Sequence, residues 1–99
     1  MAEADLEIVI RQTAKAQGKS LMGAAKKRRD LYLARAAKAT NKEARARFKL
    51  IAKSTMLHAS ATAKRLQNSA ENAADSYARA MKKTMEEAVS SKQAKKKAD

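Results

Sequence analysis

Apolar residues recur along this chain at every third or fourth position, which is the spacing of one face of an α-helix. The pattern predicts a first helix over about residues 4–17, with acidic residues in its first turn and Gly18 as the residue that ends it. A second helix is predicted over about residues 21–39, because Ser20 is suited to cap it and an apolar stripe follows. Arg29 falls inside that stripe, so it must reach solvent, pair with a carboxylate or face a partner.

A third helix is predicted from about residue 41 to residue 90. Its start is marked by the segment Thr40–Asn41–Lys42–Glu43, which has the form of a capping box with Thr as the cap and Glu three residues later. Several apolar residues of this helix are eleven positions apart, a period that indicates a nearly straight helix or a slightly right-handed pack rather than a leucine zipper. The whole stripe consists of Ala44, Phe48, Ala52, Thr55, Ala59, Ala63, Leu66, Ala70, Ala73, Tyr77, Met81, Thr84 and Ala88.

These elements predict an all-α protein, either a helical hairpin or a three-helix arrangement, with a long C-terminal helix. The alternative is a four-helix bundle, which would form if the long helix broke near Asn68, where Asn68 could cap a new helix with Glu71 three residues later. We favour the continuous helix because the stripe passes this point without a phase shift and no Gly or Pro marks a turn. Residues 1–91 are expected to form a single all-helical domain, and residues 92–99 a basic disordered tail.

The composition favours helix but limits the core. Alanine fills 24 positions, proline is absent, and only twelve residues are Leu, Ile or Val. Because a buried alanine contributes little more than one methyl group, about 0.8 kcal/mol, we expect modest stability for the isolated chain and assembly into a homo-oligomer. The predicted interface is the part of the long stripe that shorter helices leave uncovered, with Leu66, Tyr77 and Met81, and Leu50 and Leu57 offer a second apolar side on the same helix.

Positive charge is concentrated in one block of the chain. Between Leu21 and Leu66 there are thirteen Lys or Arg residues against two acids, Asp30 and Glu43, whereas residues 1–20 and 67–91 are nearly balanced. A regional excess of this kind indicates a polyanionic partner, since ridges of cations along helices can follow a phosphate backbone without reading bases. The predicted nucleic-acid-binding residues are Lys26, Lys27, Arg28, Arg35, Lys38, Lys42, Arg47, Lys49, Lys53, Lys64 and Arg65.

No constellation of residues supports catalysis, so we do not expect an enzyme, and we expect neither a cofactor nor a metal. His58, the one histidine, has no cysteine and no paired acid near it in the sequence, so it is interpreted as a polar residue at the edge of the stripe. The absence of cysteine fits a reducing compartment, and the sequence shows neither a bilayer-spanning run nor a signal-peptide pattern. We therefore expect an intracellular, cytoplasmic protein, and association with a nucleoid or a nucleus would also suit its charge.

Two functions remain open from the sequence. The first is a small basic helical protein that binds nucleic acid through non-specific contacts to the phosphate backbone. The second is a structural or adaptor protein that self-assembles or docks by helix packing on an acidic protein surface. A membrane-surface helix fits less well, because a stripe made chiefly of Ala and Thr inserts poorly. Sequence-specific reading is not expected, since the helices are too long for a helix-turn-helix and three aromatic residues cannot build a stacking platform.

Overall fold

The chain forms a helical hairpin. The computed structural model describes residues 6–98, with side chains to residue 93, and within them it contains two helices, α1 (Leu6–Lys38) and α2 (Lys42–Ala98). This confirms an all-α hairpin with a long C-terminal helix, and neither the three-helix arrangement nor the four-helix bundle forms among the described residues. The predicted start of the first helix near residue 4 and the last residue of the predicted tail lie outside the described residues.

Gly18 does not end a helix, so the prediction of two N-terminal helices is wrong. α1 runs through Gly18 without interruption, and none of the described residues has a positive φ. The reason is packing: Ala14 and Ala25, on either side of Gly18, are both buried against α2 and are eleven residues apart. A break at Gly18 would turn the whole preceding segment, with Ala14, off α2, and the contacts of that segment outweigh the roughly 1 kcal/mol that a glycine costs inside a helix.

The turn covers residues 39–41, and its cap differs by one residue from the predicted capping box. The side-chain oxygen of Asn41 accepts a hydrogen bond from the backbone N–H of Ala44 at 2.7 Å, so Asn41, not Thr40, is the N-cap of α2. Asn is favoured over Thr at this position, which explains the shift. The guanidinium of Arg45 donates to the carbonyl oxygen of Ala39 at 3.3 Å and thereby satisfies a backbone acceptor left free at the end of α1.

The line of contact between the two helices, here called the seam, buries alanine alone. Its buried members are Ala14, Ala25, Ala36, Ala52, Ala59, Ala70 and Ala74, and no large side chain among the described residues is fully buried. Methyl groups of this size let the helices approach closely, near the short end of the usual 8–10 Å separation. The seam also corrects the predicted stripe, because Ala74 is 0% exposed whereas Ala73 is exposed. Residues eleven positions apart differ by about 20° in direction on an ideal helix of 3.6 residues per turn. The predicted stripe follows one fixed direction, so after three repeats it no longer coincides with the seam.

The register of the hairpin is set by polar and aromatic contacts across the seam. Arg11 in α1 pairs with Glu71 and Asp75 in α2, both at 3.0 Å, and near the turn the rings of Tyr32 and Phe48 lie 6.1 Å apart. In this register α1 covers α2 as far as about residue 77. The rest of α2 projects, which gives the molecule extents of 88 × 22 × 7 Å. α2 remains helical to Ala98, past the predicted helix end near residue 90, so the described part of the predicted tail, residues 92–98, is helical.

Replacing either glycine of α1 by alanine should stabilise the hairpin. A methyl group at Gly18 would lie 4.0 Å from Cβ of Ala63, an ordinary contact, and one at Gly23 would meet nothing within 4 Å. Each change removes a helix penalty of about 1 kcal/mol, which should raise the Tm in a thermal melt by about 4–8 °C. A rise for Gly23→Ala together with a fall for Gly18→Ala would show that the helix breaks at Gly18 in solution.

Candidate nucleic-acid interface

The hairpin is one layer of two helices, so each helix contributes residues to two opposite faces. Successive residues of an α-helix are rotated by 100°, and the buried alanines mark the direction of the seam on both helices. Lysines that lie about a quarter-turn or slightly more to one side of the seam on α1 share a face with those in the equivalent position on α2. We call this surface the lysine face, and it consists of Lys15, Lys19, Lys26, Lys42, Lys49, Lys53 and Lys64.

All seven side chains of the lysine face are exposed, and none of them has an ion pair with a residue that the structure describes. Two acids lie in the segment from Lys26 to Lys64. Asp30 is paired with Arg29 at 3.0 Å, and Glu43 is in the first turn of α2 on the side away from α1. The lysine charges are therefore free to meet an external anion. Of the three environments that the sequence allows for Arg29, the structure shows pairing with a carboxylate.

The opposite surface, here called the groove face, is mostly apolar. Its larger groove, of about 730 Å³, is lined by residues that include Leu21, Ala24, Arg28, Leu50, Ile51, Thr55, His58 and Thr62. Its smaller groove, of about 400 Å³, is lined by residues that include Ile10, Thr13, Gln17, Leu66 and Ser69. His58 is exposed there, and the described residues contain no group of three or more His, Cys, Asp or Glu that could hold a metal ion.

The structure does not bring the eleven predicted nucleic-acid-binding residues onto one surface. All of them are exposed, but only Lys26, Lys42, Lys49, Lys53 and Lys64 lie on the lysine face. The remaining six are placed by their helical positions on the groove face (Arg28 and Arg35), on the outer edge of α1 (Lys27 and Lys38) and on the outer edge of α2 (Arg47 and Arg65).

Sequence reasoning also missed two members of the lysine face. Lys15 and Lys19 lie outside the charged block between residues 21 and 66, and their side chains join those of α2 only because α1 folds back on it. The spacing of Lys15, Lys19 and Lys26 at four and seven residues was the signal in the sequence, since these steps keep side chains on one side of a helix. It is informative only when α1 is continuous through Gly18.

Arg28 and Arg35, two of the six residues that lie off the lysine face, contact an aromatic ring. The guanidinium carbons of Arg28 and Arg35 each lie 5.0 Å from the centre of the Tyr32 ring, a distance typical of cation–π contacts. These contacts hold both side chains near the turn end of the groove face. The arginines therefore order the end of the hairpin and make that end of the groove face basic.

Arg11 closes the open end of the hairpin with a cluster of charges. Its Nε contacts Glu71 and its Nη2 contacts Asp75, while Glu7 approaches at 3.9 Å and Gln67 donates to the other oxygen of Glu71 at 3.2 Å. The hydrogen bond to Glu71 is the main cause that raises the pKa of Arg11, and the charges of the carboxylates add to it. Arg11 therefore keeps its positive charge. The cluster orients the helices and pairs Glu71 and Asp75, at the open end of the hairpin, with a cation of α1.

The predicted interface residues fall into three environments. Leu66 is half-buried in the smaller groove beside Ile10 of α1, so it belongs to the hairpin and not to an uncovered stripe. Tyr77 and Met81 are half-buried beside the N-terminal end of α1, where α2 begins to project. Leu50 and Leu57 are the most exposed of the five, at 65% and 62%, and Leu50 lines the larger groove whereas Leu57 lies on the outer side of α2. The longer α1 accounts for the change at Leu66, because the predicted break at Gly18 would have left this position open.

No protein-family model, curated protein or solved structure matches this chain. In the part of the chain that the structure describes, neither helix contains a segment apolar enough to cross a membrane.

Proposed function

We propose that this protein binds nucleic acid without sequence preference, through contacts between the lysine face and phosphates. The observation that carries the proposal is the convergence of seven exposed lysines from two helices on one face of the hairpin, with the nearby acid Asp30 paired to Arg29. Lysine acts as a point charge with a flexible stem, so it suits a backbone whose phosphates vary in position. The lysine face therefore suits electrostatic contacts to phosphates rather than contacts that distinguish the bases.

The dimensions of the lysine face suit a duplex backbone. From Lys42 to Lys64 the face extends about 33 Å along α2, at 1.5 Å per residue. Double-stranded DNA carries one negative charge per about 1.7 Å of axis, so a duplex along this face offers more phosphates than the lysines can neutralise. Six or seven simultaneous contacts are therefore within reach of one hairpin.

The aromatic residues support backbone contacts over base stacking. Tyr32 and Phe48 pack against each other across the seam, and the Tyr32 ring is covered by two guanidinium groups. Side chains engaged in this way are not available as a platform for unpaired bases. Any preference for single strands would have to come from charge alone.

A second candidate function is docking on an acidic protein surface. It is favoured by Leu50 and Leu57, because exposed leucines on a basic helix suit a partner that offers both apolar contact and carboxylates. A pull-down from lysate with and without nuclease separates the candidates. Recovery of nucleic acid that disappears after nuclease supports our proposal, whereas a protein retained after nuclease supports docking.

The proposal predicts equal affinity for unrelated sequences. Two duplexes of the same length, one rich in A·T and one in G·C, should bind with dissociation constants within a few-fold of each other at the same salt concentration, because phosphate contacts carry no sequence information. Fluorescence anisotropy at 100 mM salt measures both. A difference of a hundredfold or more would mean that base edges are read, since each good base contact contributes about 1–3 kcal/mol of discrimination.

A further inference from the structure

We propose that a second copy of this chain packs on the groove face, and that the resulting dimer holds two nucleic-acid segments on its two outer lysine faces. The dimer is inferred from the exposed area, shape and charge of the hairpin and does not depend on nucleic-acid binding. The bridging step rests on the proposed function of the lysine face, and the experiment below separates the two.

The exposed area indicates that a partner is missing from the hairpin. The accessible surface is 8029 Å² for a chain of 10.8 kDa. A compact monomer of this mass exposes about 5,500 Å². The excess of about 2,500 Å² per chain, part of which belongs to the projecting end of α2, is larger than the roughly 800 Å² that each partner buries in a stable protein–protein interface.

The thickness of the molecule gives the physical reason for that excess. A layer only 7 Å thick through its Cα atoms covers side chains at the seam and leaves both faces open. The buried residues are accordingly all alanine, while large side chains such as Leu31 and Ile51 remain exposed. A second layer packed on the groove face would bury Ile51 and Leu21 and would convert the two-helix layer into a four-helix arrangement with an apolar centre.

The groove face, not the lysine face, suits this second layer. Both grooves lie on it and follow the seam one after the other, and their lining is formed largely by Leu, Ile, Ala and Thr. Packing the lysine faces together would instead bring seven unpaired cations of each copy into contact, and like charges at that distance repel strongly. Charge therefore selects the face that can be buried.

Charge also selects the orientation of the two copies. On the groove face the cations Arg28 and Arg35 are near the turn, whereas the open end carries the uncharged Thr13, Gln17 and Ser69. An antiparallel arrangement places the basic end of each copy over the uncharged end of the other. A two-fold axis perpendicular to the helices produces this arrangement, and such isologous dimers are the commonest oligomers.

The dimer has a functional consequence. When the groove faces pack together, the two lysine faces point in opposite directions. Each can then contact a separate duplex, so that one dimer bridges two segments. A monomer has one such face and cannot bridge in this way.

The experiment uses the full chain and three variants. Thr62→Arg places a large cation in the larger groove at a position that is exposed in the hairpin, so the monomer should still fold, and Ile51→Gln removes an apolar contact without changing charge. Leu57→Gln is the matched control, because Leu57 is also exposed but lies on the outer edge of α2. Far-UV circular dichroism checks that every variant is helical. Sedimentation equilibrium at micromolar concentration gives the mass, and capture of a fluorescent duplex by an immobilised duplex measures bridging.

We expect the wild-type chain and Leu57→Gln to sediment at about twice the 10.8 kDa chain mass and to bridge the duplexes. Thr62→Arg and Ile51→Gln should dissociate at least tenfold more readily, bind a single duplex with nearly unchanged affinity, and lose bridging. A monomeric wild-type chain, with or without binding of an acidic helical peptide in the groove, would overturn the dimer. A dimer that is sensitive only to Leu57→Gln would overturn the assignment of the face.

The two inferences fail in different ways. A dimer that responds to the groove variants but binds no duplex would refute the proposed function and the bridging step and leave the groove interface in place. A dimer that binds duplex but captures no second one would overturn bridging alone.

Discussion

Raising the salt concentration from 50 to 200 mM should weaken the binding of this protein to a duplex by roughly 10³. With about six phosphates neutralised, log K falls with log salt at a slope of about −5, because each contact releases a condensed counterion. Fluorescence anisotropy over a series of salt concentrations gives the slope directly. An affinity that changes by less than about tenfold over this range would show that lysine–phosphate contacts do not dominate.

Charge-reversal variants show which lysines contribute to the slope of log K against log salt. Lys49→Glu with Lys53→Glu removes two members of the lysine face, so the slope should become shallower by about 2 and the affinity at low salt should fall at least about tenfold for every sequence. The control is Lys82→Glu with Lys83→Glu, which makes the same change of net charge on the projecting part of α2. Equal losses for both double variants would mean that net charge, and not the lysine face, controls binding.

Ala74→Leu should destabilise the hairpin strongly. Ala74 is 0% exposed at the seam, opposite the start of α1, and three additional carbon atoms have no space between helices that approach this closely. Overpacking of this kind costs about 1–3 kcal/mol. The Tm measured by circular dichroism should fall by about 4–8 °C for each kcal/mol, and the radius of gyration in solution should rise above the 24.0 Å of the hairpin.

Ala73→Leu is the matched control for this substitution. Ala73 is the neighbouring residue, undergoes the same chemical change and is exposed, so its effect on stability should stay within about 0.5 kcal/mol. The pair also distinguishes the seam found in the structure from the stripe drawn from sequence, which contains Ala73. If Ala73→Leu were the damaging variant, α2 would be rotated by about 100° from the orientation described above.

These predictions connect stability with binding. The lysine face exists only while α1 is packed on α2, because Lys15, Lys19 and Lys26 come from one helix and the other four lysines from the second. Ala74→Leu should therefore lower affinity for nucleic acid as well as the Tm, with net charge unchanged. Charge reversal at Lys49 and Lys53 should lower affinity while leaving the Tm nearly unaltered.

The amino-acid sequence by itself determined the helical class, the continuity of the long helix and the concentration of charge. Alanine content, the absence of proline and an apolar stripe without a phase shift near Asn68 are local properties, and helix formation depends on such properties. The position of the turn could also be read from Thr40 and Asn41. The exact cap could not, because Thr and Asn are both good caps, and only the hydrogen bond from the backbone N–H of Ala44 to the side-chain oxygen of Asn41 decides between them.

Tertiary structure decided the features that depend on contact between the helices. Gly18 looks like a helix end in the sequence, and only the burial of Ala14 and Ala25 against α2 explains why α1 continues through it. Ala74, rather than Ala73, is buried in the seam because an eleven-residue repeat rotates slowly around an ideal helix. The packing of α1 on α2 is needed to show which residues follow that rotation. Contact between the helices also decides how the cations are divided between the two faces. A position in a helix gives the direction of a side chain, but it does not show which distant residues share its surface.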